Sequence, residues 1–123
     1  MKTVLVAEDN VVNRELLREL LEMRGYAVVD SCDGKEALQK IAERQPDILL
    51  LDLDMPVLDG WGTIQKIREN PRSRSLLVLA VTAYAMQGDR ERVMESGFDG
   101  YLSKPINPGA LDRELGRLLS ANG

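Results

Sequence analysis

Five short apolar runs alternate with amphipathic segments along the 123 residues of this chain, and this order strongly limits the folds it can adopt. The third and fourth runs are nearly continuous in Ile, Leu and Val, which is typical of central strands buried on both faces of a parallel sheet. The runs occupy residues 3–7, 27–30, 48–51 and 76–81, with a weaker one at 100–102.

The segments between these runs have the spacing of helices. Asn10 is placed to cap the first helix and Gly25 to end it. The repeating apolar positions of this helix are Val12, Leu16, Leu20 and Met23. Residues 37–42, 64–67 and 90–96 indicate three further helices.

The fifth helix has the clearest pattern. Asn107 is a natural cap and Pro108 suits the first turn, and an apolar stripe follows at Leu111, Leu115, Leu118 and Leu119. Five strands that alternate with five helices predict an α/β fold, a doubly wound (βα)5 unit with a five-stranded parallel sheet and helices on both faces. We expect residues 1–123 to form one domain.

Composition excludes several classes of protein. Hydrophobic residues make up 44% and charged residues 29%, which argues against disorder, and the net charge of −4 argues against direct binding of nucleic acid. The chain has no histidine and a single cysteine, Cys32, so it predicts no histidine chemistry, no thiolate metal cluster and no internal disulfide. No apolar run is long enough for a signal peptide or a membrane span, which favours a cytoplasmic location.

Polar residues follow four of the five predicted strands. Glu8 and Asp9 come after the first, Asp52 and Asp54 after the third, Thr82 after the fourth, and Lys104 with Pro105 after the fifth. The carboxyl ends of parallel strands share one edge of the sheet, which is where ligands bind in open α/β folds. We therefore expect a cluster of carboxylates with one hydroxyl and one ammonium.

Such a cluster suits phosphoryl transfer to a carboxylate. Several carboxylates repel one another unless a cation compensates, and oxygen ligands without histidine or thiolate favour Mg²⁺. An ammonium and a hydroxyl are then available to the oxygens of a phosphoryl group.

Four motifs, each at the end of a strand, resemble those of response-regulator receiver domains in two-component signalling, of which the bacterial chemotaxis response regulator is a familiar example. The resemblance extends over essentially the whole chain. The motifs are Val4-Leu5-Val6-Ala7-Glu8-Asp9-Asn10, Leu51-Asp52-Leu53-Asp54-Met55-Pro56 with Asp59-Gly60, Val81-Thr82-Ala83, and Tyr101-Leu102-Ser103-Lys104-Pro105.

The resemblance implies a role for each site residue. Asp52 would accept a phosphoryl group from a phosphohistidine of a histidine kinase or histidine phosphotransfer protein. Asp9 and Asp52 would bind Mg²⁺ directly, Glu8 through water, and Asp54 through its backbone carbonyl. The resemblance also implies the strand order 2-1-3-4-5, with Lys104 at the phosphoryl group and a cis peptide bond before Pro105.

The resemblance further implies a switch. Thr82 would move to the phosphoryl group and Tyr101 would turn inward, changing a face built from the fourth helix, fifth strand and fifth helix that binds a downstream protein. Asp54 and Tyr84 resemble positions that tune the lifetime of the phosphate. Arg90, Glu91 and Arg92 are expected to form a solvated helix face, and Trp61 to be partly buried near the site.

Three other functions are weaker. Asp52-Leu53-Asp54 resembles the nucleophile motif of haloacid-dehalogenase phosphatases, but Met55-Pro56 departs from that motif and those enzymes usually need a longer chain. A receiver-like module without phosphorylation would lack some acidic, Thr or Lys position, and none is missing. A flavodoxin-like nucleotide binder would need a glycine-rich loop after the first strand, where Glu8 and Asp9 stand instead. The only catalysis expected is therefore the chain's own phosphorylation and dephosphorylation.

Overall fold

The computed structural model describes residues 1–83 and 89–121, and in them the predicted alternation of strands and helices is confirmed. The strands are β1 (Thr3–Ala7), β2 (Ala27–Ser31), β3 (Ile48–Asp52), β4 (Leu77–Thr82) and β5 (Gly100–Ser103). The helices are α1 (Val11–Glu22), α2 (Gly34–Glu43), α3 (Gly60–Glu69), α4 (Asp89–Glu95) and α5 (Pro108–Ala121). Within the described residues, none of these helices has the length and apolar composition needed to span a membrane.

The strands form one parallel sheet in the order β2-β1-β3-β4-β5, which confirms the predicted fold class and strand order. The order reverses direction between β1 and β3, where the chain leaves one edge of the sheet and continues towards the other. Crevices at such switch points lie outside the carboxyl ends of the strands.

The central strand explains why the apolar runs are continuous. Ile48 and Leu50 of β3 face a core shared with α1 and α5, whereas Leu49 and Leu51 face a core shared with α2, α3 and α4. All four side chains are buried, because successive residues of a strand point to opposite faces and both faces are covered by helices.

Side chains cap the helices where the sequence predicts. Asn10 accepts a hydrogen bond from the backbone N–H of Asn13 at 2.9 Å, and Asn107 accepts one from Ala110 at 3.0 Å. Gly25 has a φ of 86°, the left-handed conformation expected after a helix. The predicted cis peptide bond between Lys104 and Pro105 is also confirmed.

The buried face of α1 is not the stripe that predicts the helix. Leu17 and Leu21 enter the core, whereas Val12, Leu16 and Met23 are 72%, 50% and 81% exposed. The helical spacing is correct, but α1 carries apolar residues on two sides and spacing alone does not say which side meets the sheet. An apolar stripe is therefore left on the surface of α1.

Arg68 links the end of α3 to the loop before β4 and to the loop before β5. Its guanidinium donates hydrogen bonds to the carbonyl oxygens of Leu76 at 2.6 Å and Gly97 at 2.9 Å, and to Oδ2 of Asp99 at 2.9 Å. The same Asp99 oxygen accepts the backbone N–H of Val78 at 2.8 Å. The fork of a guanidinium can make these bonds together, which an ammonium cannot.

We expect Arg68→Met to lower the free energy of unfolding by about 2 kcal/mol, because it leaves Asp99 and three carbonyls, including that of Arg74, without their charged donor while keeping an apolar stem. Urea unfolding measures the change. The control is Arg72→Met, at an exposed position of the following loop, which should change stability by less than about 0.5 kcal/mol. Equal losses in the two variants would contradict this role for Arg68.

Candidate active site

Strand register brings the predicted site residues to one edge of the sheet. Asp52 of β3 lies beside Val81, and Thr82 of β4 lies beside Ser103, so that Lys104 begins the loop just beyond this pair. The backbone N–H of Lys104 donates to the carbonyl of Thr82 at 2.8 Å, which fixes that loop against β4.

Lys104 joins two buried carboxylates. Its Nζ lies 2.9 Å from Oδ2 of Asp52 and 2.8 Å from Oε1 of Glu8. The side chains of Asp52 and Glu8 are 4% and 2% exposed, so this ammonium is their main charge partner. Burial lowers the pKa of Lys104, but its hydrogen bonds to Glu8 and Asp52 outweigh that effect and leave the pKa above its usual value.

The other oxygen of Asp52 is held by the loop that follows β3. Oδ1 accepts the backbone N–H of Asp54 at 3.0 Å. The loop turns back so closely that a Cβ at Gly60 would lie 2.6 Å from the carbonyl oxygen of Asp52, which only glycine permits. Asp59 caps α3 by accepting the N–H of Gly62 at 2.8 Å, so the loop after Asp52 ends at Asp59 and Gly60 begins the helix.

Glu8 is the most constrained acid of the site. Arg14 donates to its backbone carbonyl at 2.8 Å, a contact that the sequence pattern did not single out. Burial and the adjacent Asp52 together raise the pKa of the Glu8 carboxyl to about 7, against the opposing effect of Lys104. Among the described residues, Oε2 of Glu8 is a buried oxygen without a hydrogen-bond partner.

These acids fit a hard cation. Glu8, Asp9 and Asp52 each offer a carboxylate oxygen, and the three atoms lie within 4.8 Å of one another. The buried Oε2 of Glu8 lacks a hydrogen-bond partner, and the single ammonium of Lys104 does not balance the negative charge of three carboxylates. Oxygen donors of this kind, with one residue exposed, suit Mg²⁺ and leave room for its waters.

The predicted switch residues are near the site but are not part of the carboxylate cluster. Thr82 is buried at the end of β4, and Tyr101 is partly buried against the core on the α4 side of the sheet. Partial burial, and then the negative charge of Asp89, raise the pKa of Tyr101. Tyr84, predicted to tune the lifetime of a phosphate, lies outside the described residues.

A cavity of about 250 Å³ opens beside Thr82 and Asp54, towards α4. One wall is Trp61, which is partly buried near the site as predicted. Another is Arg92, whose guanidinium carbon lies 4.3 Å from the centre of the Trp61 ring. Arg92 is exposed, as are Arg90 and Glu91, which confirms the predicted solvated helix face; its contact with Trp61 has no signal in the spacing of either residue.

We expect Glu8→Gln to stabilise the metal-free protein at alkaline pH. A folded-state pKa of about 7, above the usual 4.5, means that ionised Glu8 costs folding free energy, fully above pH 7 and not at all well below 4.5. In the presence of a chelator, the melting temperature of the variant should exceed that of the parent at pH 8, and the difference should shrink towards pH 5.

Thermal unfolding followed by circular dichroism tests this pH dependence. Glu19→Gln is the control, because Glu19 is an exposed glutamate on α1 and its replacement should give no such trend. A difference between Glu8→Gln and the parent that stays constant with pH, or grows towards pH 5, would contradict the destabilising charge at Glu8.

Known proteins share both the sequence pattern and the fold. Residues 4–115 match the family model described as the response regulator receiver domain. The chain is 39% identical over 106 residues to the polar-differentiation response regulator DivK of Brucella anthropi, which covers 86% of each protein.

Solved structures agree with the sequence comparison. The receiver domain of a sensor histidine kinase from Pseudomonas aeruginosa, described with a magnesium ion coordinated in its active-site cleft, matches with a TM-score of 0.89 and 35% identity over 97% of this chain and 98% of that one. The receiver domain of a Francisella response regulator matches with a TM-score of 0.93 and 27% identity over 100% of each chain.

Proposed function

This chain belongs to the response-regulator receiver family of two-component signalling, and from that premise we propose that Asp52 is its phosphoacceptor, with Mg²⁺ as cofactor. The observation that carries the proposal is the position of the Asp52 carboxylate. One oxygen is held by Lys104 at 2.9 Å and the other by the N–H of Asp54 at 3.0 Å, inside a set of three acids.

In the proposed reaction, an oxygen of Asp52 bonds to phosphorus while the bond from phosphorus to the donor's imidazole nitrogen breaks. The electron pair of that bond stays on the nitrogen, and the imidazole leaves as a neutral ring when its second nitrogen carries a proton. Lys104 is already within hydrogen-bond distance of Asp52 and would donate to a phosphoryl oxygen. Thr82, at the adjacent strand end, would donate to another.

Glu8, Asp9 and Asp52, with the backbone carbonyl of Asp54, would hold the metal ion, which when bound neutralises the acids and stabilises charge on the phosphoryl oxygens. Glu8 would act through water. Its buried, unsatisfied oxygen is the feature of this chain that supports such a role.

The donor would be a histidine kinase or a histidine phosphotransfer protein. A cavity of about 390 Å³ lies between α1 and the loop after β5, bounded by Glu8 and Lys104 and lined mainly by Leu16, Leu17 and Ile106. A donor histidine must come close to Asp52, and this apolar groove continues directly into the site. The exposed stripe of α1 extends the same surface.

The output would be a change in protein binding. A phosphoryl group adds roughly −1.5 to −2 charge, which can draw Thr82 and Lys104 towards it and shift a two-state equilibrium. Tyr101 lies on β5 next to α4, so the face of α4, β5 and α5 is the proposed surface for a downstream protein.

The proposal has three broader parts. We propose that residues 1–123 act as one receiver domain, since one core cluster joins buried residues of β1, β3, β4 and β5 and packs against Val28 of β2. Its only catalysis would be the gain and loss of its own phosphoryl group. The cytoplasm is the proposed location, and a cysteine free of disulfides, Cys32, suits that reducing compartment.

Incubation with acetyl phosphate should add one phosphoryl group to the parent only when Mg²⁺ is present, as measured by intact-mass spectrometry. Asp52→Asn should add none, because the amide is not a nucleophile towards phosphorus. Asp54→Asn is the matched control, since only its backbone is assigned a role, and it should still form the adduct.

An adduct on Asp52→Asn would place the acceptor elsewhere and contradict the assignment. Turnover of small phosphate esters by the parent would instead favour a phosphatase, because a receiver hydrolyses only its own aspartyl phosphate. No adduct in the parent, together with no binding of beryllofluoride, would favour a module that works without phosphorylation.

Tyr101→Ala should separate phosphorylation from switching. We expect acetyl phosphate to label it at a rate close to that of the parent, because Tyr101 contacts none of the three acids. Beryllofluoride with Mg²⁺ should then cause smaller amide chemical-shift changes at residues 89–103 than in the parent. Tyr101→Phe, which keeps the ring, is the control; equal changes in the alanine variant and the parent would refute the switch role.

A further inference from the structure

We propose that Arg92 and Trp61 form a clamp that holds α4 in its resting position, so that Arg92 is a positioning residue for phosphorylation. The inference rests on the proposed function of Asp52 and extends it to the control of the switch. Neither residue contacts the carboxylate cluster, and the effect would act through the position of α4.

The clamp is defined by two measured ring contacts. The guanidinium carbon of Arg92 on α4 lies 4.3 Å from the Trp61 ring centre, within the range of cation–π attraction. Trp61 also contacts Phe98, in the loop after α4, with ring centres 6.1 Å apart and planes at 87°. Trp61 stands on the first turn of α3, so one side chain of α3 meets α4 and the loop that follows it.

The described part of α4, Asp89–Glu95, has one buried side chain, that of Val93. For this part of the helix, a contact of modest free energy therefore matters to its position. By comparison, α5 has fourteen residues and buries four leucines.

The clamp lies beside the residues proposed to switch. Trp61, Arg92 and Val93 line the same cavity as Thr82 and Asp54. At the start of α4, the charge of Asp89 acts on the hydroxyl of Tyr101. A movement of Thr82 towards Asp52 takes place next to this cavity, and α4 is the element that both Thr82 and Tyr101 adjoin.

The clamp is proposed for the state in which Lys104 is bonded to both Glu8 and Asp52, as it is in this structure. A contact made only in the resting state biases the equilibrium against the activated one by its own free energy. Loss of the clamp should therefore make the activated state easier to reach.

The test is the affinity for beryllofluoride in the presence of Mg²⁺, measured by isothermal titration calorimetry. Arg92→Gln should bind it about two- to fivefold more tightly than the parent. This is the change expected for loss of one exposed cation–π contact when the unligated protein mostly populates the resting state. Arg90→Gln is the matched control, since it removes the same charge from an exposed position of the same helix, and its affinity should equal that of the parent.

A double-mutant cycle with Trp61→Leu tests whether Arg92 acts through its contact with Trp61. In the Trp61→Leu background, Arg92→Gln should have no further effect on affinity, because its ring partner is gone. A merely structural role would lower the melting temperature without tightening beryllofluoride binding.

Unchanged or weaker binding by Arg92→Gln would overturn the clamp, and so would equal tightening by Arg90→Gln. Failure of the parent itself to bind beryllofluoride would refute the proposed function of Asp52. The two failures are therefore distinguished by the parent protein alone.

Discussion

The bond from Lys104 to both Glu8 and Asp52 is the interaction on which the arrangement of this site depends. Two buried carboxylates would repel each other strongly without it, and their burial is itself a consequence of the strands that bring them together. One ammonium does not pair with every oxygen of the two acids: Oε2 of Glu8 has no hydrogen-bond partner among the described residues, and burial together with Asp52 raises the pKa of the Glu8 carboxyl. The site therefore carries uncompensated negative charge, which a divalent cation would balance.

The parallel sheet supplies the geometry that this interaction needs. The central strands β1, β3 and β4 are buried on both faces, which selects continuous apolar runs, and the carboxyl ends of all five strands lie at one edge of the sheet. The chemistry-bearing residues stand at those ends. A sheet that brings its strand ends to one edge therefore collects Glu8, Asp52, Thr82 and Lys104 without any contact among them being encoded locally.

Much of this could be predicted, because strand ends and helix caps are local patterns. Asn10, Asn107 and the order of acids, threonine and lysine were readable for that reason. The exposed stripe of α1 could not be predicted, because the helix is apolar on two sides. Only packing against the sheet determines that Leu17 and Leu21 are the buried residues. Nor could the contact of Arg92 with Trp61 be predicted, or the positive φ of 69° at Val57, a backbone conformation that β-branched residues rarely adopt.

The separation of Asp52 from Lys104 along the chain has a consequence for biosynthesis. The lysine that holds the acceptor carboxylate follows the last strand and can reach it only when β4 and β5 have paired. Pairing of such distant strands is among the slower events of folding. A nascent chain that has formed only its first three strands already presents Asp52 but lacks the ammonium beside it, so competence to take a phosphoryl group would itself mark a completely folded receiver.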